Sequence, residues 1–385
     1  MEDFLFLEQH LSSEERAVKD RVHKFVREHA INKMTDAYEQ AIFPLEFIKE
    51  LAALGLFGLT IPTKFGGGGA SYLAYGLACQ ELEYGDSSLR SFVSVQNSLC
   101  MYPILIFGNN EQKQHWLPKM AKGEVIGCFA LTEIDAGSDP TSMLTTATKV
   151  AAGWELNGTK MWITNAPIAD LAIIWAKTTQ GIEAFLVEKD FPGFSTKKIQ
   201  HKMCLRTSIT GEITLDRCIV PETHYLSGTA KGLSAALECL NQARYSIAWG
   251  AIGAAIACYE TALEYCKTRK QFGKSLASFQ LIQKDLVDMF TEIIKAQSLN
   301  MQVARLKDTS SCNYAIISMA KMNACLQALN IARSARNLLG ARGITLESQI
   351  IRHMNNLEAV FTYEGTDNIH HLILGRYLTG ISAFG

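Results

Sequence analysis

Proline is scarce in this chain, with eight residues in 385, so little interrupts long helices. None of the ten cysteines forms a C-x-x-C pair, and the nine histidines include only one adjacent pair, His370-His371, with no H-E-x-x-H spacing. No resident metal is therefore expected. The cysteines sit in apolar contexts such as Ile126-Gly127-Cys128-Phe129-Ala130 and read as buried free thiols. An excess of one charge is also missing. Lys+Arg number 37 and Asp+Glu 38, a net charge of −1, which leaves no basic surplus to point to nucleic acid. The apolar stretches carry polar interruptions well short of the ~20 residues of a membrane span. The start, Met1-Glu2-Asp3-Phe4, has no basic n-region, and its early acids argue against a transit peptide. A cytoplasmic protein is expected, or a mitochondrial matrix protein if the chain is a processed form.

Apolar residues make up 48% and charged residues 19%, which excludes a disordered chain. The length corresponds to about two and a half domains of ~150 residues, and three compositional blocks are visible. Residues 1–123 read as helices. Ser12 or Ser13 with Glu15 resembles an N-terminal cap, followed by Val18, Val22, Phe25 and Val26 at helical spacing. Phe47, Ile48, Leu51 and Ala52 repeat the pattern. Gly66-Gly67-Gly68-Gly69 lacks a following Lys-Ser/Thr and fits neither a P-loop nor G-x-G-x-x-G, so a flexible loop is expected.

Residues 124–228 change character. Short runs such as Leu171-Ala172-Ile173-Ile174-Trp175, Ala184-Phe185-Leu186-Val187 and Glu212-Ile213-Thr214-Leu215 alternate with turn signals, which suggests a small β-barrel or sandwich. Asn157-Gly158 reads as a two-residue hairpin turn. Residues 229–385 are helical again, with long helices expected over 233–268, 276–306 and 312–339 and a closing helix near 369–379, hence a four-helix bundle. The first of these is apolar on several faces and so buried on several faces. The α–β–α order makes an α+β multidomain protein and disfavours a doubly wound, NAD-type sheet.

Five segments carry chemistry. Phe129-Ala130-Leu131-Thr132-Glu133 leads into Ala136-Gly137-Ser138-Asp139-Pro140, a strand followed either by an ordinary Ser/Asx turn or by a loop offering N–H and hydroxyl groups to a ligand. Lys160-Met161-Trp162-Ile163-Thr164-Asn165 sets Trp162 and Thr164 on one strand face, either as core or against a flat heteroaromatic ring. Arg269-Lys270-Gln271-Phe272-Gly273 ends the long helix, capping its carbonyls or binding a pyrophosphate. In Glu83-Tyr84-Gly85-Asp86-Ser87-Ser88-Leu89-Arg90, Asp86 or Ser87 caps a helix and Arg90 falls in its first turn, against the macrodipole. Arg90 is then a solvated side chain, an ion-pair partner of Glu83, or a trap for a carboxylate. In Val360-Phe361-Thr362-Tyr363-Glu364-Gly365-Thr366-Asp367-Asn368 the helix breaks at Gly365, and Asp367 or Asn368 can cap the next one. Glu364 is there a capping or solvated acid, or a carboxylate made more basic by apolar surroundings and suited to removing a proton α to a carbonyl.

These segments, in this order, resemble the acyl-CoA dehydrogenases over essentially the full length. Within that family the chain is similar to the members that act on glutaryl-CoA. The stretches Leu89-Arg90-Ser91 with Ser94-Val95-Gln96, Leu131-Thr132-Glu133 with Gly137-Ser138-Asp139-Pro140, Asn241 to Gly250, Ile351 to Val360 and Tyr363 to Thr366 carry the likeness most closely. The resemblance implies a homotetramer with one FAD per subunit between the β domain and the C-terminal bundle. Phe129, Leu131, Thr132 and Ser138 would line the flavin ring and nearby substrate. Trp162, Ile163 and Thr164 would contact the ring, with Thr164 near N5. Arg269, Phe272 and Gln280 would reach the pyrophosphate and adenosine from a neighbouring subunit. Leu338, Leu339 and Gly340 would hold FAD from another helix end, where Ala341 departs from the family's usual Gly-Gly-x-Gly. Thr366 and Asn368 would also touch FAD.

For the acyl-CoA, the resemblance implies Ser91, Ser138, Asn241, Arg244 and Gly365 as contacts. Glu364 would be the catalytic base, and Arg90 with Glu83 and Tyr363 would receive the distal carboxylate of glutaryl-CoA. The implied reaction is oxidative decarboxylation to crotonyl-CoA and CO2, within lysine and tryptophan degradation, with electrons passed to an electron-transferring flavoprotein. The alternatives are a nondecarboxylating glutaryl-CoA dehydrogenase, a short- or branched-chain acyl-CoA dehydrogenase, or a noncatalytic scaffold of the same fold, which the retained Glu364 argues against.

Overall fold

The computed structural model describes residues 3–229 and 232–384. Seven helices come first: α1 (Ser13–Phe25), α2 (Ile31–Gln40), α3 (Phe47–Ala53), α4 (Tyr72–Gly85), α5 (Ser87–Ser94), α6 (Tyr102–Phe107) and α7 (Asn110–Ala121). Ser12 caps α1 with a full capping box: its hydroxyl accepts from the Glu15 N–H at 3.2 Å, and the Glu15 carboxylate accepts from the Ser12 N–H at 2.8 Å. Glu15 is buried because it also receives Arg305 at 2.6 Å, which ties α1 to the C-terminal bundle. The glycine run is more ordered than expected. The N–H groups of Gly68 and Gly69 donate to the carbonyls of Gly58 and Ile61, both at 2.9 Å, folding the loop back on residues 58–61.

The central block holds β1 (Gly127–Ala130), β2 (Thr146–Val150), β3 (Gly153–Thr164), β4 (Leu171–Thr178), β5 (Gly181–Glu188), β6 (Phe194–Lys198) and β7 (Thr210–Val220). They form one curled, half-barrel sheet in the order β1-β4-β2-β3-β7-β6, with β5 on β4. Two-residue turns join β2 to β3, where Val150 pairs with Gly153, and β4 to β5, where Thr178 pairs with Gly181. Asn157-Gly158, expected to be a hairpin turn, is instead a bulge inside β3, where the register against β7 slips between Leu156 and Gly158. A bulge asks for the same backbone freedom as the turn. Gly158 has φ +148°, and a Cβ there would lie 2.7 Å from Thr145 Cα. The Asn157 side chain accepts from the Arg217 N–H at 2.8 Å across the bulge.

The C-terminal block begins with α8 (Leu233–Thr268), followed by a small hairpin of β8 (Lys270–Gln271) and β9 (Lys274–Ser275), then α9 (Gln280–Asp308), α10 (Tyr314–Leu338), α11 (Ile350–Thr362) and α12 (Asp367–Thr379). Helix α11 adds a member to the expected bundle. Every residue of α8 from Ala243 to Tyr259 is buried. By length and composition α8 could cross a membrane, but 83% of its apolar window is covered by this chain's own helices. The capping expected at its end comes from the Arg269 main-chain N–H, donating to Tyr265 O at 2.8 Å, and not from the Arg269 or Gln271 side chains.

Two further links fix α11. Asp86 caps α5 by accepting from the Ser88 N–H at 2.7 Å, and it also receives Arg352 at 2.5 Å and Asn356 at 3.1 Å, both from α11. All ten cysteines are free. Among the described residues no group of three or more His, Cys, Asp or Glu side chains could hold a metal. The bulge assignment gives the first prediction. Gly158→Ala combines a backbone region hostile to a Cβ with a collision and is expected to lower stability by about 1–3 kcal/mol, read as a lower urea midpoint. An unchanged midpoint would contradict it.

Candidate functional site

The Asp86 cap sets the position of Arg90. Four residues into the helix begun by that cap, its side chain runs into the interior at 1% exposure. It is not solvated. Its Nε donates to Glu83 Oε2 at 2.5 Å, and its Nη2 donates to the Tyr363 hydroxyl. Burial would lower the guanidinium pKa, but the Glu83 carboxylate and the Tyr363 oxygen outweigh it and hold Arg90 cationic. The other Glu83 oxygen, Oε1, is buried with no partner. Gly250 on α8 makes room for this pair: a Cβ there would collide with Glu83 Oε2 and stand 2.8 Å from Arg90 Nε.

Tyr363 brings the next residue alongside. Helix α11 ends at Thr362, and Glu364 follows at φ +53°, a left-handed conformation costing about 1 kcal/mol for a residue with a Cβ. Its carbonyl accepts from Arg244 Nε at 2.8 Å, and Arg244 Nη1 reaches Asn241 Oδ1 at 3.3 Å. Gly365 continues at φ +99°, where a Cβ would lie 3.0 Å from His370 Nε2 and 3.2 Å from Arg244. Thr366, not Asp367 or Asn368, caps α12 by accepting from the Ile369 N–H at 3.3 Å.

Glu364 is partly exposed as a residue, yet its Oε2 is enclosed and lacks a hydrogen-bond partner. Burial raises its pKa to about 7, with the charges of Arg90, Arg244 and Lys321 holding it from going higher. An unpartnered carboxylate of that basicity is a proton acceptor poised near neutral pH. Arg90 stands close enough to act on this carboxylate and reaches Tyr363, the residue before it.

A second group of expected residues surrounds the mouth of the sheet. Phe129 and Leu131 are buried in an apolar cluster with Cys239 and Ala243 of α8, which sets this mouth beside the first turns of α8 and so beside Arg244. Trp162 is 57% exposed, Thr132 and Thr164 are half-buried, and Ser138 is exposed. Ile163 is buried in the sheet's own core at 2% exposure, after a bulge in β3 between Lys160 and Ile163 at which Trp162 takes φ +64°. Glu133, the acid at the end of this strand, anchors the following loop by accepting from the N–H groups of Leu144 at 2.5 Å and Thr145 at 3.0 Å and from the fully buried Lys160 at 2.8 Å.

The third group lies elsewhere. Arg269 and Gln271 share a cavity of about 560 Å³ with Leu338, Leu339, Gly340 and Ala341. Phe272 stands at the β8–β9 tip with 94% exposure, and Gln280 is exposed at the start of α9. Arg269 is 25 residues beyond Arg244 on α8, about 37 Å along the helix axis. Within one chain this group is therefore remote from Glu364. Ser91 is buried within α5, and Asn368 is exposed on α12.

Family models for acyl-CoA dehydrogenase match the N-terminal domain over residues 12–124, the middle domain over 128–218 and the C-terminal domain over 230–379. The chain belongs to the acyl-CoA dehydrogenase family. Among its relatives, the mitochondrial short-chain specific acyl-CoA dehydrogenase of Homo sapiens is 36% identical over 345 residues, 88% of this chain and 84% of that protein. Glutaryl-CoA dehydrogenase from Mycobacterium smegmatis superposes with a TM-score of 0.97 at 47% identity, covering 100% of this chain and 99% of that one. A second structure of a glutaryl-CoA dehydrogenase from that organism, in complex with FADH2, gives 0.97 at 45% identity over 99% and 98%.

Sequence reasoning passed over Ser318, Lys321 and His370, which pack beneath the Glu364 connector. The available signal was a lone lysine in the apolar run Ala320-Lys321-Met322, with Ser318 one turn before it. The Glu364 carboxyl itself generates a prediction. Its protonated-acid infrared band, identified by absence in Glu364→Gln, should disappear as pH rises through about 7. Loss of the band by pH 5 would mean an ordinary solvated acid.

Proposed function

We propose that this acyl-CoA dehydrogenase oxidises and decarboxylates glutaryl-CoA to crotonyl-CoA and CO2, with FAD as its cofactor and an electron-transferring flavoprotein as acceptor. The observation that carries the substrate reading is the buried cation Arg90, whose Nη2 donates to Tyr363, the residue next to Glu364. A desolvated guanidinium is costly unless negative charge meets it. Glu83 meets it in this structure, and a distal carboxylate on the acyl chain can share it.

The residues present fit FAD. The exposed Trp162 indole and the half-buried Thr132 and Thr164 lie on segments joined by the Met161 N–H donating to Thr132 O at 2.9 Å. At the far end of α8, no carboxylate among the described residues pairs with Arg269, and an added Cβ at Gly340 meets nothing within 4 Å, so backbone and cation are open to a diphosphate. These two half-sites are too far apart on one chain to hold one FAD, which supports sharing between subunits and the homotetramer that the family resemblance implies. FAD, when bound, supplies the acceptor for the β-hydride.

The chain's own residues do the proton chemistry. Glu364 takes the α-proton of the thioester as the β-hydrogen leaves with its electron pair. Asn241 and Arg244 in the first third of α8 would contact the acyl-CoA beside the Glu364 connector that Arg244 holds. Loss of CO2 from the resulting glutaconyl thioester leaves its bonding pair as a dienolate, and the proton held on Glu364 returns to Cγ to give crotonyl-CoA. Glu83 has two roles here. Its negative charge beside the substrate carboxylate disfavours that carboxylate, and it keeps Arg90 paired once CO2 has gone. The sequence likeness to a short-chain enzyme favours one other reading, a nondecarboxylating or plain short-chain dehydrogenase.

Two measurements test this. Glu364→Gln should keep FAD and acyl-CoA binding but slow flavin bleaching by glutaryl-CoA by ~10²–10⁴-fold or more; near-normal bleaching would place the base elsewhere. Arg90→Ala leaves the distal carboxylate unpaired, a truncation of ~2–5 kcal/mol, or about 30- to several-thousand-fold in kcat/KM for glutaryl-CoA. Butyryl-CoA, which has no distal carboxylate, should not suffer that loss. A wild-type preference for butyryl-CoA, or equal loss of both activities, would favour the short-chain reading. CO2 and crotonyl-CoA should appear in equal amounts under anaerobic turnover.

A further inference from the structure

Lys321 is 1% exposed, on the face of α10 that looks at the connector between α11 and α12. Its Nζ donates to Gly365 O at 2.9 Å and Tyr363 O at 3.1 Å, and reaches Phe361 O at 3.4 Å. All three partners are acceptors, and among the described residues no carboxylate forms an ion pair with it. A protonated ammonium has three N–H groups to give, whereas a neutral amine would turn a lone pair toward one of the carbonyls. The arrangement therefore fits the charged form. Two of the carbonyls flank Glu364, and the third belongs to the last turn of α11, whose terminal carbonyls have no helical partner.

We propose that Lys321 is a positioning residue for the base: it ties down the main chain on both sides of Glu364, keeps that residue in its left-handed conformation, and sets a fixed positive charge behind its carboxylate. The inference rests on the reading of Glu364 as the base and assigns the means by which that base is held and tuned. Arg244 grips the Glu364 carbonyl itself, so the connector is held at three consecutive carbonyls, 363 to 365, by two cations from different helices.

The surrounding charges all bear on this. Burial lowers the Lys321 pKa most, Cys325 on α10 itself, Glu364 from the connector and Asp367 from α12 raise it, Arg244 from α8 lowers it, and His370 of α12 faces it. His370, hydrogen-bonded to Ser318 at 2.6 Å, is pushed down to about 2 by burial and by the two neighbouring cations, so it stays neutral. Arg90, Arg244 and Lys321 are the cations acting on Glu364, with the Tyr363 hydroxyl beside them. Removing any one of these cations raises the Glu364 pKa.

Two variants separate tether from charge. Lys321→Gln keeps two N–H donors for the carbonyls and loses the charge. Lys321→Met loses both. In each, the protonated-carboxyl band of Glu364 should persist to a pH about one unit higher than in wild type, the low end of what a neighbouring opposite charge does. The ionised fraction at pH 7, and with it the rate of bleaching by substrate, should fall about fivefold in the Gln variant and recover as pH is raised. The Met variant should lose about tenfold or more and not recover fully, because the connector is loose. A band titrating at the wild-type pH in both variants, with an unchanged pH profile, would overturn the inference. Loss of FAD and assembly in both would overturn it as well, by marking Lys321 as a folding residue. Retained activity in Glu364→Gln would instead remove the base reading itself, whatever Lys321 does.

Discussion

A guanidinium held at 1% exposure imposes its terms on everything around it. Arg90 is buried because the Asp86 cap starts α5 where it does and the helix then points residue 90 inward. Once there, its charge requires Glu83 from the preceding helix, the Tyr363 hydroxyl from the connector, and a glycine at position 250 so that α8 clears the pair. Asp86 in turn binds Arg352 and Asn356, so the element that places the cation also places the helix leading to Glu364. Arg90 and Glu364 are thus registered to each other through one buried polar network. Such networks specify an arrangement even where their net contribution to stability is small.

Around Glu364 the same principle works on main chain. Left-handed backbone at a non-glycine residue does not persist unless its surroundings hold it. Arg244 and Lys321 supply that restraint through carbonyls, and the same two cations limit how far burial raises the carboxyl pKa. Restraint and tuning come from the same side chains. The length of α8 sets a further constraint. Arg244 holds the Glu364 carbonyl, whereas Arg269, just past the far end of the helix, lines a separate cavity, so the two groups of expected residues stand apart within one chain.

Much of this was legible in the sequence because it depends on local rules. A cap at Ser12 or Ser13 with Glu15, a cap at Asp86 or Ser87, the first-turn arginine, the all-round apolar α8 and a helix break near Gly365, where α11 in fact ends at Thr362, each follow from a few consecutive residues. Where local rules serve two structures equally, the reading failed. Asn157-Gly158 asks for unusual backbone in a turn or in a bulge, and only pairing with β7 selects the bulge. Asp367 and Asn368 are competent caps, as is Thr366, and it is Thr366 whose hydroxyl accepts from the Ile369 N–H. The capping expected of Arg269 and Gln271 fell to a main-chain N–H, which freed Arg269 to line a cavity.

The sequence by itself determined the α–β–α order, the family, and the residue types able to do the chemistry, because periodicity, caps and ordered motifs survive as one-dimensional patterns. Tertiary structure alone decided which of those residues work together. Glu83 and Arg90 are seven positions apart and Tyr363 is 273 positions beyond Arg90, and the two charges matter because packing removes water from Glu83 and Arg90 and brings the Tyr363 hydroxyl to them. Lys321 stands more than forty positions from the residue it restrains. A lysine in an apolar helix is an anomaly in sequence; it acquires a role only when folding brings three carbonyls to its ammonium group, because hydrogen bonding and desolvation depend on distance in space, not on separation along the chain.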